Sequence, residues 1–309
     1  MSKFNKLFVM FCLGFASGLP YMIIISTSTA WLRDAGVDLA YIGFFSWVTF
    51  MYAFKFLWAP LIDRFSIPVL KKYGHRKSWI VLMQSIIFVN LIILSNIDPK
   101  NNFMLFSLIA FLIGLSGSIQ DIAIDAFRIE YADINDQGSL AATYQFGWRL
   151  AIIIATSFAL IFADTNGWSL TFKIMAASMF IGLLGLVFSK EEKNLQLSRL
   201  SFSQSIKDPF VDFLSRFGFF AAAILLMIIA TYRLTDIVMG PMATPFYIDM
   251  GFSLTEIGAV VKIVALIASI LGISLGAILL KKFNIYKSLL IGAFLVMITN
   301  ICFSYVAVS

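Results

Sequence analysis

The sequence predicts an all-α protein, a polytopic membrane bundle of helices, and three observations carry that prediction. Hydrophobic residues make up 60% of the 309 residues and charged residues only 13%, where soluble domains carry about 25% charged residues; the mean hydropathy is +0.91. Apolar runs of about 20 residues, the length that crosses a hydrocarbon core as a helix, recur along the chain. Between them, basic loops alternate with loops nearly bare of Lys and Arg, as the positive-inside rule requires of a multi-pass protein.

The first run, KFNKLFVMFCLGFASGLPYMIIISTSTAWL, follows lysines as a signal peptide does. Its apolar stretch is too long and lacks a small-x-small cleavage site, so it is expected to stay as a first span at 5–32. Further spans are expected at 39–62, 78–97, 103–127, 137–163, 168–189, 217–247, 254–280 and 286–307, nine in all. The loop at 63–77 carries Arg64, Lys71, Lys72, Arg76 and Lys77, the loop at 190–216 carries Lys190, Lys193, Arg199, Lys207 and Arg216, and Lys281, Lys282 and Lys287 follow. Of Lys and Arg, the alternate loops hold only Arg33 and Lys100. The N-terminus is therefore expected in the cytoplasm and the C-terminus on the far side. The net charge of +6 is assigned to this topology, with no nucleic-acid partner. Cys12 and Cys302 both fall inside spans and read as packing residues, neither a disulfide nor a metal site.

EEKNLQLSRLSFSQSIKDPF, around 191–210, is the longest polar stretch and reads as a cytoplasmic linker. WLRDAGVDLAYIGFFSW at 31–47 can be laid on FYIDMGFSLTEIGAVVK at 246–262 with a constant offset of 215. Asp34, Gly36, Leu39, Ile42 and Gly43 then meet Asp249, Gly251, Leu254, Ile257 and Gly258. Spans 1–2 and 7–8 thus read as copies in the same orientation, the parallel repeat of a two-half secondary transporter. The expected organisation is a six-helix half at 1–189, a linker at 190–216 and a three-helix C-terminal half at 217–309. A six-span first half implies a six-span second, so either the protein is shortened or the sequence is a fragment of a longer one; if it is whole, helices 10 to 12, and with them one wall of the central cavity, are expected to be missing.

Ionisable residues at membrane depth cost about 2.5 to 3.5 kcal/mol each on insertion scales, so each marks a candidate functional group. Lys55, Asp121, Asp125, Arg149, Arg233, Asp236 and Lys262 qualify. Asp121 and Asp125, in SGSIQDIAIDAFR, stand four residues apart and share one helix face. Small residues precede them and allow close helix packing: Gly114, Ser116, Gly117 and Ser118. At 1.5 Å per residue from about residue 103, Asp121 lies roughly 27 Å along its span and Asp125 roughly 33 Å. Desolvation favours the neutral form of a carboxyl group, so Asp121 is a candidate carrier of a coupling proton, and Asp125 a second. The competing reading makes Asp121 a permanently ionised partner of Lys55 or of Arg149, which lies about 18 Å into the fifth span. Asp125 also suits a salt-bridge latch with Asp63, Arg64, Arg76 and Arg128 at the cytoplasmic gate.

In YRLTDIVMGPMATPFY, Arg233 and Asp236 precede Gly240, Pro241 and Pro245, and a proline-broken helix commonly borders a transporter's binding site. SGLP at 17–20 marks a similar break in the first span. Arg233 and Lys262 are candidates to hold substrate carboxylates, unless Arg233 and Asp236 only neutralise each other. Trp47, Tyr52, Tyr144 and Trp148 stand within a turn or two of Lys55 or Arg149 and offer apolar faces with polar tips, suited to sugar rings or equally to an interface belt.

AGVDLAYIGFFSW, FKFLWAPLIDR, SIQDIAIDAF, YRLTDIVMGPMATPF and GFSLTEIGAVVK together resemble the AmpG-type muropeptide permeases of the major facilitator superfamily, and more distantly the related acetyl-CoA transporters. The likeness runs from about residue 10 to 285. Asp63 and Arg64 with the basic loop resemble the superfamily's gating motif after span two, except that SIPVLKKYGHRK replaces its compact glycine-basic ending. The resemblance implies a major-facilitator fold and a proton-coupled importer in the bacterial inner membrane, without cofactor. It also implies a substrate, the N-acetylglucosamine–anhydro-N-acetylmuramic acid disaccharide with or without peptide. Lys55, Arg149, Arg233, Asp236, Lys262, Tyr144 and Trp148 would then bind substrate, Asp121 and Asp125 protons. The rivals are a carrier of another bulky anion such as acetyl-CoA and a non-transporting shortened membrane protein. An enzyme is not expected, since the single histidine, His75, lies in a basic loop and no zinc or nucleophile motif is present.

Overall fold

The computed structural model describes residues 3–131, 136–189, 211–283 and 285–306. All nine predicted segments fall on helices: α1 (Lys3–Asp34), α2 (Leu39–Ala53) and α3 (Lys55–Arg64), α4 (His75–Leu94), α5 (Phe103–Tyr131), α6 (Gln137–Asn166), α7 (Trp168–Val187), α8 (Val211–Phe217), α9 (Phe219–Asp249), α10 (254–282) and α11 (Ile285–Val306). Among the described residues, five helices are long and apolar enough to cross a membrane, or seven if the bent pairs α2/α3 and α8/α9 each count once. One end of the bundle gathers Lys3, Lys6, Arg64, Arg76 and Arg128 and is called the basic end below.

The core is organised around α1. Its most apolar window is 72% buried, against 44% to 50% in the other four full spans. Small residues let α6 lie directly on it: a Cβ at Gly14 would overlap the Tyr144 carbonyl, and one at Gly147 would overlap the Phe11 carbonyl. Around α1 sit two apolar clusters. One, toward the end opposite the basic one, holds Phe15, Leu19, Trp31, Phe106 and Phe172; the other, toward the basic end, holds Met10, Leu13, Ile62, Ile124 and Phe127.

The expected breaks at proline are absent. Helix α9 runs unbroken through Pro241 and Pro245, and α1 continues past Pro20 into a π-helical turn at Ile23–Ser28. Proline cannot donate to the carbonyl four residues back, which for Pro20 is that of Ala16. Gln120 of α5 takes that carbonyl instead, Nε2 donating at 2.8 Å inside the core. Within the expected linker at 190–216, residues 211–216 belong to a short helix, 211–217, turned 108° from α9 at Gly218, whose φ is +72°. The linker's other residues, 190–210, lie outside the described ones.

The residues aligned at an offset of 215 fold alike. Gly36 and Gly251 both take left-handed φ, +79° and +87°. Each closes its helix with paired bonds, Gly36 N–H to Arg33 O at 2.9 Å and Val37 N–H to Leu32 O at 3.0 Å in one copy, Gly251 N–H to Ile248 O at 3.0 Å and Phe252 N–H to Tyr247 O at 3.1 Å in the other. Helix α9 packs along the last third of α1, where Ser26 and Thr244 meet at 3.4 Å. Helix α10 begins in a capping box between Ser253 and Glu256 and packs on α6, where a Cβ at Gly258 would stand 2.8 Å from the Ser157 carbonyl.

Candidate functional site

Between the two apolar clusters, α1, α5 and α6 converge on a polar knot. Gln120 and Asp121, consecutive on α5, grip Ala16 and Ser17, consecutive on α1. Ser17 Oγ donates to Asp121 Oδ1 at 2.5 Å and stands 2.7 Å from Tyr144 Oη of α6. A serine hydroxyl carries one hydrogen and two lone pairs. With that hydrogen on Asp121, Tyr144 is the donor to Ser17, and the order runs Tyr144 to Ser17 to Asp121. Ser17 is only 1% exposed. Beside it, Tyr52 meets Tyr21 edge-on at 4.9 Å, and its buried hydroxyl lies against Gly117 without a hydrogen-bond partner among the described residues.

Neither Lys55 nor Arg149 reaches Asp121 as an ion-pair partner, so the ionised-partner reading has no pair behind it among the described residues. Lys55 stands 4.0 Å from Asp125, whose other partner is Arg128 at 3.8 Å. Arg128 in turn lies over the Tyr144 ring, 5.8 Å from its centroid. Arg149 has no ion pair among the described residues and lies over the Trp148 ring at 5.6 Å, while Trp148 rests against Gly18 of α1. Trp47 is apart from this group, exposed beside Phe44 and Phe50.

The basic end has a separate charge cluster, and its membership differs from the expected latch. Arg76 is buried and bridges two helices' carboxylates: Asp63 Oδ1 at 2.6 Å from Nη1, and Glu130 Oε1 at 2.9 Å from Nη2. Asp125 and Arg128 pair with each other outside it, because Asp125 lies more than a turn below Glu130 on α5. Arg64 is exposed and makes no ion pair among the described residues. The loop is pinned by its neighbours: the His75 ring to Ile62 O at 2.8 Å and Trp79 Nε1 to Phe65 O at 2.8 Å.

At the opposite end the two copies of the repeat are tied together. Arg33 donates to Asp249, and Asp164 at the end of α6 accepts from the Thr255 backbone at 3.1 Å and from its hydroxyl at 2.5 Å. Asp34, the repeat mate of Asp249, instead accepts from Trp168 Nε1 at 2.6 Å. Arg233, Asp236 and Lys262 lie on α9 and α10, but their side chains fall outside the described residues.

Sequence reasoning missed Ser17, Gln120 and Glu130 as functional partners. The proline at 20 was the available signal for the first two, since it leaves a carbonyl that another helix must satisfy. Glu130 was signalled by an acidic residue at the end of a span that faces a basic loop.

The Major Facilitator Superfamily model matches residues 8–309. The putative transporter AmpG 4 of Rickettsia conorii is 35% identical over 308 residues, covering 97% of this chain and 74% of that protein. The anhydromuropeptide permease of Escherichia coli K12 is 32% identical over 285 residues, 92% of this chain and 57% of the permease. An uncharacterized protein of Haemophilus influenzae is 32% identical over 297 residues, with coverage of 96% and 69%.

Proposed function

This chain belongs to the Major Facilitator Superfamily, among its AmpG-type transporters, and on that premise we propose that it imports cell-wall muropeptides together with protons across the bacterial inner membrane. It is a multi-pass membrane transporter, not an enzyme. The substrate class follows the Escherichia coli relative, which is an anhydromuropeptide permease. The observation that carries the coupling is Asp121: a carboxyl between two apolar clusters, held by a serine hydroxyl and by no cation among the described residues. Such a group can change charge without leaving a partner cation stranded, which an ion-paired carboxylate cannot do.

The rest of the site supplies the substrate's needs. Arg149 over Trp148 offers a cation and a flat apolar face together, suited to a sugar bearing a carboxylate. Tyr144, Lys55 and Asp125 line the same region, and Arg233, Asp236 and Lys262 are assigned to the substrate from the second half. We take 1–189 and 217–309 as the two rocking units, with 190–216 between them and the N-terminus in the cytoplasm. Arg76 with Asp63 and Glu130 then gates the cytoplasmic side, with Arg64 and Arg128 on its rim. Arg33 with Asp249 and Asp164 with Thr255 close the far side.

The test is uptake of labelled N-acetylglucosamine–anhydro-N-acetylmuramic acid into vesicles containing this chain, with an imposed inward proton gradient. Accumulation that vanishes when the gradient is collapsed is the expected result. Accumulation indifferent to the gradient overturns the coupling. Competition by acetyl-CoA but not by muropeptides overturns the substrate class.

A further inference from the structure

We infer that Ser17 and Tyr144 are positioning residues for the proton site at Asp121, an inference that rests on the symport reading above. The geometry assigns Ser17 a role beyond packing. Its single hydroxyl joins three helices, donating to Asp121 on α5 at 2.5 Å while accepting from Tyr144 on α6, 2.7 Å away. Its place on α1 is fixed one residue earlier, where Gln120 holds the Ala16 carbonyl left open by Pro20. Ser17 and Asp121 therefore cannot slide past one another without breaking a second buried hydrogen bond.

The direction of the chain depends on the charge of Asp121. An ionised carboxylate only accepts, so Ser17 points its hydrogen at Asp121 and Tyr144 points its own at Ser17. When a proton binds Asp121 and forms an O–H bond there, the carboxyl becomes a donor to Ser17. Ser17 is then free to donate to Tyr144, and the Tyr144 hydroxyl turns its hydrogen away. Protonation is thereby felt on α1 and α6, both of which also contact the second half, α1 at α9 and α6 at α10. The charged groups around this chain are Lys55, Asp125 and Arg128, the carboxylate lying between the two cations at 4.0 Å and 3.8 Å with a net charge of one positive.

Two transport modes separate this role from simple packing. Gradient-driven accumulation needs the proton to be released and rebound in every cycle, whereas counterflow exchanges labelled for unlabelled substrate and needs no net proton movement. The experiment uses the full chain in proteoliposomes with the labelled anhydro-disaccharide. Ser17→Ala is expected to lower accumulation about tenfold, the scale of one hydrogen bond to a charged group, with counterflow unchanged and with Ser17→Thr restoring accumulation. Tyr144→Phe is expected to shift accumulation in the same direction by less, and the double variant to be no worse than Ser17→Ala alone, because the two act in series. Equal loss of both modes in Ser17→Ala and Tyr144→Phe, without recovery in Ser17→Thr, overturns the inference in favour of packing. Unchanged accumulation in both variants overturns it as well. Should Ser17→Ala fail to insert, Ser17→Cys, of similar size but a much weaker hydrogen-bond donor, decides by the same split between the two modes. Asp121→Asn runs alongside: if it loses accumulation while Ser17→Ala does not, only the positioning role fails. If Asp121→Asn accumulates like the wild type, the symport reading itself fails, and the positioning role with it.

Discussion

Asp121 and Asp125 share one face of one helix, a single turn apart, and the fold gives them opposite surroundings. Asp121 sits where α1, α5 and α6 meet, takes its hydrogen bond from a buried serine and has no ion pair among the described residues. Asp125 sits one turn nearer the basic end, with its side chain 43% exposed between Lys55 and Arg128. One carboxylate has no ion-pair partner among the described residues, and the other has two. The comparison teaches that helical spacing decides which face a residue occupies, while the neighbouring helices decide its chemistry.

The contrast can be broken most sharply by neutralising each carboxylate in turn. Asp121→Asn is expected to bring proton-driven accumulation down to the level seen with a collapsed gradient while counterflow persists; Asp125→Asn is expected to keep accumulation at a large fraction of wild type. Next in size is Arg76→Ala, which strands Asp63 and Glu130. Breaking a buried pair costs about 3 kcal/mol, and we expect the low end because Asp63 is 39% exposed. The readout is thermal unfolding in detergent, with Arg64→Ala unchanged as the control. Gln120→Leu is expected to cost about 2 kcal/mol by leaving the Ala16 carbonyl unsatisfied. Pro20→Ala returns a backbone N–H to that carbonyl and is expected to offset most of the loss, a non-additivity that a double-mutant cycle reads directly. The smallest effect belongs to Asp125→Asn, below about 1 kcal/mol in stability, as for other half-exposed pairs.

Much of the architecture was legible in the sequence because a membrane imposes one rule, that a helix must be about 20 apolar residues long to cross. The i, i+4 relation of Asp121 and Asp125 was legible for the same reason, being local. Their partners were not, since Ser17 meets Asp121 across 104 residues, and such a pairing depends on how two helices slide against each other. Proline misled in both places it was read as a break. In α1 the lost bond is made good by a side chain of α5, and in α9 the helix carries both prolines within it. The short helix 211–217 was not legible because seven residues, VDFLSRF, hold too few turns to show a period. The latch at the basic end was half legible: Arg76 and Asp63 were in the expected set, but depth along α5 decided that Glu130, and not Asp125, completes it.

The most direct test of the central claim, that Asp121 rather than Asp125 carries the coupling proton, is proton movement itself. A pH-sensitive dye inside proteoliposomes would record proton entry when the anhydro-disaccharide is added outside, with no gradient imposed. The account predicts substrate-dependent acidification for the wild type and for Asp125→Asn, and none for Asp121→Asn although its counterflow persists. Acidification that survives in Asp121→Asn, or disappears only in Asp125→Asn, would contradict it.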